Sequence, residues 1–150
     1  MTVEVHGMGA SAPCRIVYMT CEALKLDYKI IMCDLQKGEN KSPDYLKMNP
    51  QHTIPTLNDN GLFLNESRGI ATYLAAKYGK DDKLYPQDLK TRAIVDQRLY
   101  FDMGVFYKAF GDIVVNVLSL IFNIHSCFFL PKVSNDVWCS KSWSTSSRTL

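Results

Sequence analysis

The dipeptide Asn60-Gly61 stands between two short apolar runs, "IPTLND" and "LFLNE". Asn-Gly readily takes the positive φ angles of a type I′ turn, whose twist matches that of paired strands, so these runs form an antiparallel hairpin. The flanking sequence narrows the choice of fold. Downstream, "ESRGIATYLAAKYG" sets Ile70, Leu74 and Tyr78 on one helical face, with Gly79 as the stop. Upstream, "TVEVH" reads as a short β-branched strand ended by Gly7 and Gly9. Pro13 then suits the first helical position, where its missing N–H costs nothing, and Ile16, Met19, Ala23 and Leu24 follow at helical spacing. "YKIIMCDL" is a continuous apolar run of strand length, which predicts a strand buried on both faces. "KGENKSPDYLKMNP" is polar and turn-rich, with room for one short helix from Pro43 to Met48.

The resulting order is β-α-β-(α)-β-β-α, a parallel βαβ unit joined to an antiparallel hairpin and closed by a helix. This is an α/β, thioredoxin-like arrangement, and it occupies residues 1–80. "KDDKLYPQD" is a charged linker containing Pro86. Beyond it, Leu89 to Phe110 reads as a long helix, with Leu99, Met103, Phe106 and Phe110 spaced four, three and four apart. Residues from 88 onward are therefore expected to be helical at least as far as Phe110. The character of the chain changes after Ile113, where "IVVNVLSLIFNIHSCFFL" carries no charge and "SNDVWCSKSWSTSSRTL" is serine-rich without periodicity.

A chain of 150 residues holds one domain, or one domain and part of another. The formal net charge of +2, on scattered basic residues, argues against nucleic acid or an anionic membrane as partner. Five cysteines (Cys14, Cys21, Cys33, Cys127, Cys139) form neither a paired set nor a metal spacing, so no disulfide framework and no metal site are expected. "MTVEVHGMG" lacks the basic and apolar regions of a signal peptide, which makes a reducing, cytoplasmic setting the expectation.

Three stretches could carry chemistry. In "SAPCR", Ser11 lies just before a helix start, beside unpaired backbone N–H groups and the positive end of the helix dipole. Its hydroxyl can cap the helix or point at a bound thiolate; the residues alone favour the cap. Cys14, one residue inside, can be a buried core thiol or a reactive one. In "NPQHTIPTL", Ile54 before Pro55 is biased to extended geometry. A cis bond there would present the main chain of Ile54 to an extended peptide ligand, whereas a trans proline would simply mark a strand edge. His52 is a ligand contact or a polar loop residue. In "NESRGI", Glu66 and Ser67 open a helix, where they either frame an anion-sized site or form a capped end with a solvated Glu66–Arg68 pair.

Taken together, "SAPCR", "NPQHTIPTL", "DNGLFLNESRGIATYLAAKYG", "LYP" and "RAIVDQRLYFDMG" closely resemble the cytosolic glutathione transferases of the insect delta/epsilon type. The resemblance covers Val3 to Asp112. It implies that Ser11, not Cys14, donates a hydrogen bond to the thiolate of glutathione. It further implies that His52, Thr53, Ile54 and Pro55 hold the glycyl and cysteinyl parts, and that Glu66, Ser67 and Arg68 hold the γ-glutamyl end. The activated thiolate then attacks an electrophile or a hydroperoxide, a detoxification chemistry with glutathione as co-substrate and no metal. Tyr107 and Phe110 are the implied electrophile-pocket residues, and a homodimer is the implied assembly. One departure is visible: the family's "GEH" reads "GEN" here, placing Asn40 where a histidine lies near the glycyl carboxylate.

The family's helical domain needs more residues than the 62 that follow Asp88, so the resemblance implies that residues 88–150 are a partial, divergent helical domain. Residues 113–150 are accordingly expected to derive from a retained intron or a shifted exon boundary, ahead of a membrane segment or an improvised apolar helix. Asn116, Asn123 and His125 make the membrane reading poor. A non-catalytic, glutathione-binding or vestigial product is the rival class. A thiol–disulfide oxidoreductase is disfavoured, because no C-x-x-C pair includes Cys14.

Overall fold

The computed structural model describes residues 2–122. Two compact units divide the chain, Met1–Lys108 and Ala109–Leu150. In the first, the element order is β1 (Val3–Gly7), α1 (Ala12–Leu24), β2 (Tyr28–Met32), a 3₁₀ turn (Glu39–Lys41), α2 (Pro43–Met48), β3 (Thr56–Asp59), β4 (Leu62–Leu64), α3 (Ser67–Tyr78) and α4 (Leu89–Phe101). The sheet order is β2-β1-β3-β4, with β1 parallel to β2 and antiparallel to β3, and β3 antiparallel to β4. This is the thioredoxin-like arrangement, with its hairpin turning at Asn60 (φ 53°) and Gly61 (φ 92°).

The core lies between the sheet and the helices α1 and α3. Val3 and Val5 from β1, Val17 and Cys21 from α1, Leu57 from β3, and Ile70 and Leu74 from α3 are fully buried there. Tyr78 packs against this cluster, as its helical spacing predicts. The buried stripe of α1 differs in part from the expected one, although Leu24 packs against the core as its spacing predicts. Cys14, Val17 and Cys21 face inward, whereas Met19 is 69% exposed and Ala23 is exposed. Both sets fit a 3.6-residue period, and small thiols won the inner face because α1 lies close to β1. Gly7 shows how close: a Cβ there would stand 2.6 Å from the Cys14 sulfur and 3.0 Å from the Tyr18 hydroxyl oxygen. Gly7→Ala is therefore expected to destabilise the domain by about 1–3 kcal/mol through overpacking. Thermal unfolding of this variant beside Gly7→Ala/Cys14→Ala checks it, because removing the sulfur should restore part of the loss.

The strand β2 also departs from expectation. It pairs only with β1 and is an edge strand, with Ile30 46% and Met32 67% exposed. Its continuous apolar character thus reflects partial cover of an edge, not burial on both faces. Gly79 ends α3 as expected, but at φ −60°. Its lack of a side chain is needed for close approach instead, since a Cβ would lie 2.4 Å from the carbonyl oxygen of Ala75.

The expected single helix from Leu89 to Phe110 contains a wide turn. After α4, residues Asp102–Phe106 form a π-helical segment in which the Tyr107 N–H donates to the Asp102 carbonyl five residues back. The helix α5 (Tyr107–Phe122) follows and extends beyond Ile113. The extra residue in the π turn breaks the four-three-four spacing, and Met103, Phe106 and Phe110 are all exposed. In the second unit the description covers only the part of α5 from Ala109 onward, and the expectations for residues 123–150 lie outside the described residues. No helix among the described residues is long and apolar enough to cross a membrane.

Candidate active site

Strand register brings the three sequence stretches to one end of the sheet. Gly7 at the end of β1 aligns with Met32, His6 with Thr56, and Leu57 with Leu64. The loop to Ser11, the loop from Asn49 to Pro55 and the segment from Asn65 to Ser67 therefore all emerge at the same end of the sheet.

Ser11 is the N-cap of α1, and its Oγ accepts a hydrogen bond from the Cys14 N–H at 3.4 Å. The contact is long for an N–H···O bond, and it uses only the accepting side of the hydroxyl. The O–H proton is left to be donated outward, so capping and thiolate stabilisation are compatible roles for one side chain. No acidic residue occupies the first turn of α1, which leaves the positive end of the helix dipole unopposed. Cys14 is fully buried, its sulfur packed against Gly7. Burial raises the Tyr18 hydroxyl beside it to about 12, with Cys14 adding to the shift.

The loop before β3 is held by a buried polar network. Asn49, almost fully buried, donates through Nδ2 to the Thr53 carbonyl (3.0 Å), Thr53 Oγ1 (3.2 Å) and Thr56 Oγ1 (3.0 Å). Tyr45 of α2 donates its hydroxyl to the Thr53 carbonyl at 2.7 Å. Burial pushes the Tyr45 hydroxyl up to about 12, so it stays protonated and available as a donor. Thr53 is thus a structural hub. His52 adopts φ 48°, its N–H donating to the Asn49 carbonyl at 2.9 Å. The Ile54–Pro55 bond is cis, and no hydrogen bond to the main chain of Ile54 occurs among the described residues.

The loop is tied to the third segment through Asn65, which donates to Asn49 Oδ1 (3.0 Å) and Gln51 Oε1 (3.1 Å). Glu66, at φ 67° and ψ 100°, precedes α3 without capping it. A non-glycine residue in that region carries strain that its surroundings must hold. The first turn of α3 contains no acidic residue, so its leading N–H groups form a second anion-accepting helix end. The solvated Glu66–Arg68 pair does not form. Arg68, with a side chain 11% exposed, pairs through Nε (2.7 Å) and Nη2 with Oδ2 of Asp102. Its Nη1 donates to Ser67 Oγ at 3.0 Å, and its guanidinium lies 5.0 Å from the Tyr107 ring centroid. Arg68 therefore positions Ser67 and anchors α3 to the π turn. Tyr107 covers Arg68, and Phe110, in the second unit, is 51% exposed. Among the described residues no group of His, Cys, Asp or Glu could hold a metal ion.

Sequence reasoning did not find Tyr45, Asn49 or Asp102. Asn49 ends the short helix α2 and precedes Pro50, a weak signal of a chain reversal. Nothing in the sequence links Asp102 to Arg68.

A four-stranded thioredoxin-like domain, with two helix N-termini and a cis-proline loop at one end of the sheet, defines the class of protein by its fold. Residues 5–82 match the family model described as glutathione S-transferase, N-terminal domain. The chain belongs to the glutathione S-transferase family. It is 46% identical to a delta-class glutathione transferase from Nilaparvata lugens, with a TM-score of 0.75, covering 83% of this chain and 58% of that one. It is 41% identical to an epsilon-class enzyme from the housefly, Musca domestica (TM-score 0.72, 81% and 55% covered). A glutathione transferase homologue from Drosophila mojavensis with bound glutathione is 47% identical (TM-score 0.68, 69% and 48% covered). The chain spans less than three fifths of the length of each of these relatives.

Proposed function

We propose that this chain binds glutathione at this end of the sheet and activates its sulfur for attack on small hydrophobic electrophiles or hydroperoxides. The observation that carries this is Ser11 at the N-terminus of α1, with its O–H free to donate beside an unopposed helix dipole. The thiol loses its proton to solvent, and the Ser11 O–H stabilises the thiolate. The sulfur then forms a bond to the electrophilic carbon while the leaving group departs with its electron pair. His52, Thr53, Ile54 and Pro55 would line the glycyl and cysteinyl parts of the peptide, with the unpaired main chain of Ile54 as the natural partner for the cysteinyl backbone. Glu66 and Ser67 would meet the γ-glutamyl end, with Arg68 behind them. In this reading residues 1–80 form the glutathione-binding domain and residues 88–150 a partial helical domain that contributes Tyr107 and Phe110 to the electrophile site. A cytoplasmic setting and a homodimer belong to the same proposal.

A second reading, glutathione binding without useful turnover, is favoured by the solvent exposure of Phe106 and Phe110. Retention on immobilised glutathione, measured beside conjugation to a generic electrophile, separates the two. Retention with turnover is expected; retention alone selects the second reading, and neither would refute both.

A further inference from the structure

Asn40 sits in the 3₁₀ turn Glu39–Lys41, after Gly38 at φ 73°. Only 6% of it is exposed. Its Nδ2 donates to the main-chain carbonyl of His52 at 2.6 Å, across twelve residues. Its Oδ1 is buried with no hydrogen-bond partner among the described residues. A buried acceptor left unpaired costs about as much as one good hydrogen bond gains. The side chain therefore contributes little net stability, and an apolar residue of similar size would serve the core equally well. What the amide does provide is a fixed point for His52. That residue holds a left-handed φ of 48°, a conformation that persists in a residue with a side chain only when its neighbours over-determine it. Two bonds do so: the His52 N–H to the Asn49 carbonyl at 2.9 Å, and the His52 carbonyl from Asn40.

We infer that Asn40 is a positioning residue that never touches the ligand and clamps the His52 backbone so that the imidazole faces the glycyl carboxylate of glutathione. The inference rests on the proposed glutathione site and assigns to this turn a backbone-holding role instead of a direct carboxylate contact. The contact to the carboxylate is made by the His52 imidazole; Asn40 supplies only orientation. Its removal therefore changes affinity without changing the chemistry of the sulfur.

The test uses the full chain and two substitutions. Asn40→Leu removes both the donor and the orphaned acceptor, and Asn40→Asp keeps the shape and the acceptor but loses the donor. Glutathione affinity, titrated calorimetrically, is expected to weaken about tenfold in both variants, the equivalent of one ordinary hydrogen bond. The melting temperature of Asn40→Leu is expected to stay within about 3 °C of the parent, less than one lost interaction of that size would produce. Amide exchange at His52 should accelerate in both variants while exchange in the core strands does not. Unchanged glutathione affinity in Asn40→Leu overturns the inference, as does a loss of affinity that only tracks a fall in melting temperature. If the parent chain itself fails to bind glutathione, the proposed function falls. The His52 exchange rate then decides the clamp alone: acceleration in Asn40→Leu upholds it and no change overturns it.

Discussion

Replacing Ser11 with alanine is expected to cut glutathione conjugation near neutral pH by about 10- to 100-fold while leaving retention on immobilised glutathione nearly intact. The size follows from the energy of the step removed. Lowering a thiol pKa from about 8.5 to about 6.5 requires roughly 2.7 kcal/mol of preferential thiolate stabilisation. A hydrogen bond to an anion supplies about 1.5–3 kcal/mol of that, and the dipole of α1, which survives the substitution, supplies the remainder. The pH–rate profile is the diagnostic readout. In Ser11→Ala its rising limb should move up by about 1–2 units, the shift that losing one charge-assisted bond produces. Activity should then recover in alkaline buffer, where the thiol ionises unaided. The cap bond is long, at 3.4 Å, so the cost to α1 is expected at the low end of cap losses, about 0.5 kcal/mol. If Cys14→Ala abolished turnover and Ser11→Ala left it unchanged, the role assigned to Ser11 would be wrong. The buried position of Cys14 against Gly7 argues against that outcome.

The second large effect falls on stability. Asp59, the last residue of β3, is buried and accepts four donors: Asn60 Nδ2 at 2.6 Å, Tyr73 Oη at 2.7 Å, Lys77 Nζ at 2.7 Å and Tyr78 Oη at 2.8 Å. The last three come from α3, so one carboxylate fastens the hairpin to the helix. Asp59→Ala removes four hydrogen bonds to a buried carboxylate at once and is expected to cost about 3–5 kcal/mol, the worth of about two charge-assisted bonds. For a domain of this size that lowers the melting temperature by roughly 10–20 °C. Burial alone would raise the Asp59 carboxyl, but the bonds from Lys77, Tyr73, Tyr78 and Asn60 outweigh it and hold the group down at about 2, below its ordinary 3.8. Because the folded value is the lower one, the unfolded chain binds the proton more readily. The stabilisation is complete above about pH 4 and is lost as pH falls toward 2, an amount of about 2 kcal/mol. Asp59→Asn should flatten this acid limb while retaining part of the tyrosine bonding. A steep limb that persisted in Asp59→Asn would place the responsible carboxylate elsewhere. The Asp59 carboxylate is buried and lies 2.7 Å from Lys77 Nζ, so salt should weaken the cluster only modestly.

Local features were legible in the sequence to the extent that local physics sets them. The Asn60-Gly61 turn, the helix from Pro43 to Met48 and the apolar face of Ile70, Leu74 and Tyr78 depend on neighbours within one turn of chain. The structure places each where the residues predict. Features that depend on which surface is covered are not legible in the same way. The apolar run of β2 carries no mark distinguishing an edge strand from an interior one, because that depends on what lies beside it. The inner face of α1 passed to Cys14, Val17 and Cys21 because Gly7 lets the helix approach β1, a fit between two elements that neither shows alone. The π turn at Asp102–Phe106 was hidden because a single wide turn leaves the helical propensity of the residues unchanged.

The site divides along the same line. By itself the sequence determined that Ser11 would meet a helix N-terminus, that a proline-bearing loop would precede β3, and that Glu66 and Ser67 would open α3. Each of these is a property of a few consecutive residues. Only the tertiary structure decided that Arg68 would bind Asp102, 34 residues on, instead of Glu66, and that Thr53 would be consumed in holding its own loop. It also decided that Asn40 would reach the backbone of His52. Those partners are chosen by strand register and helix packing, which bring together groups that no local interaction relates. A buried donor takes whichever acceptor the fold sets within about 3 Å of it.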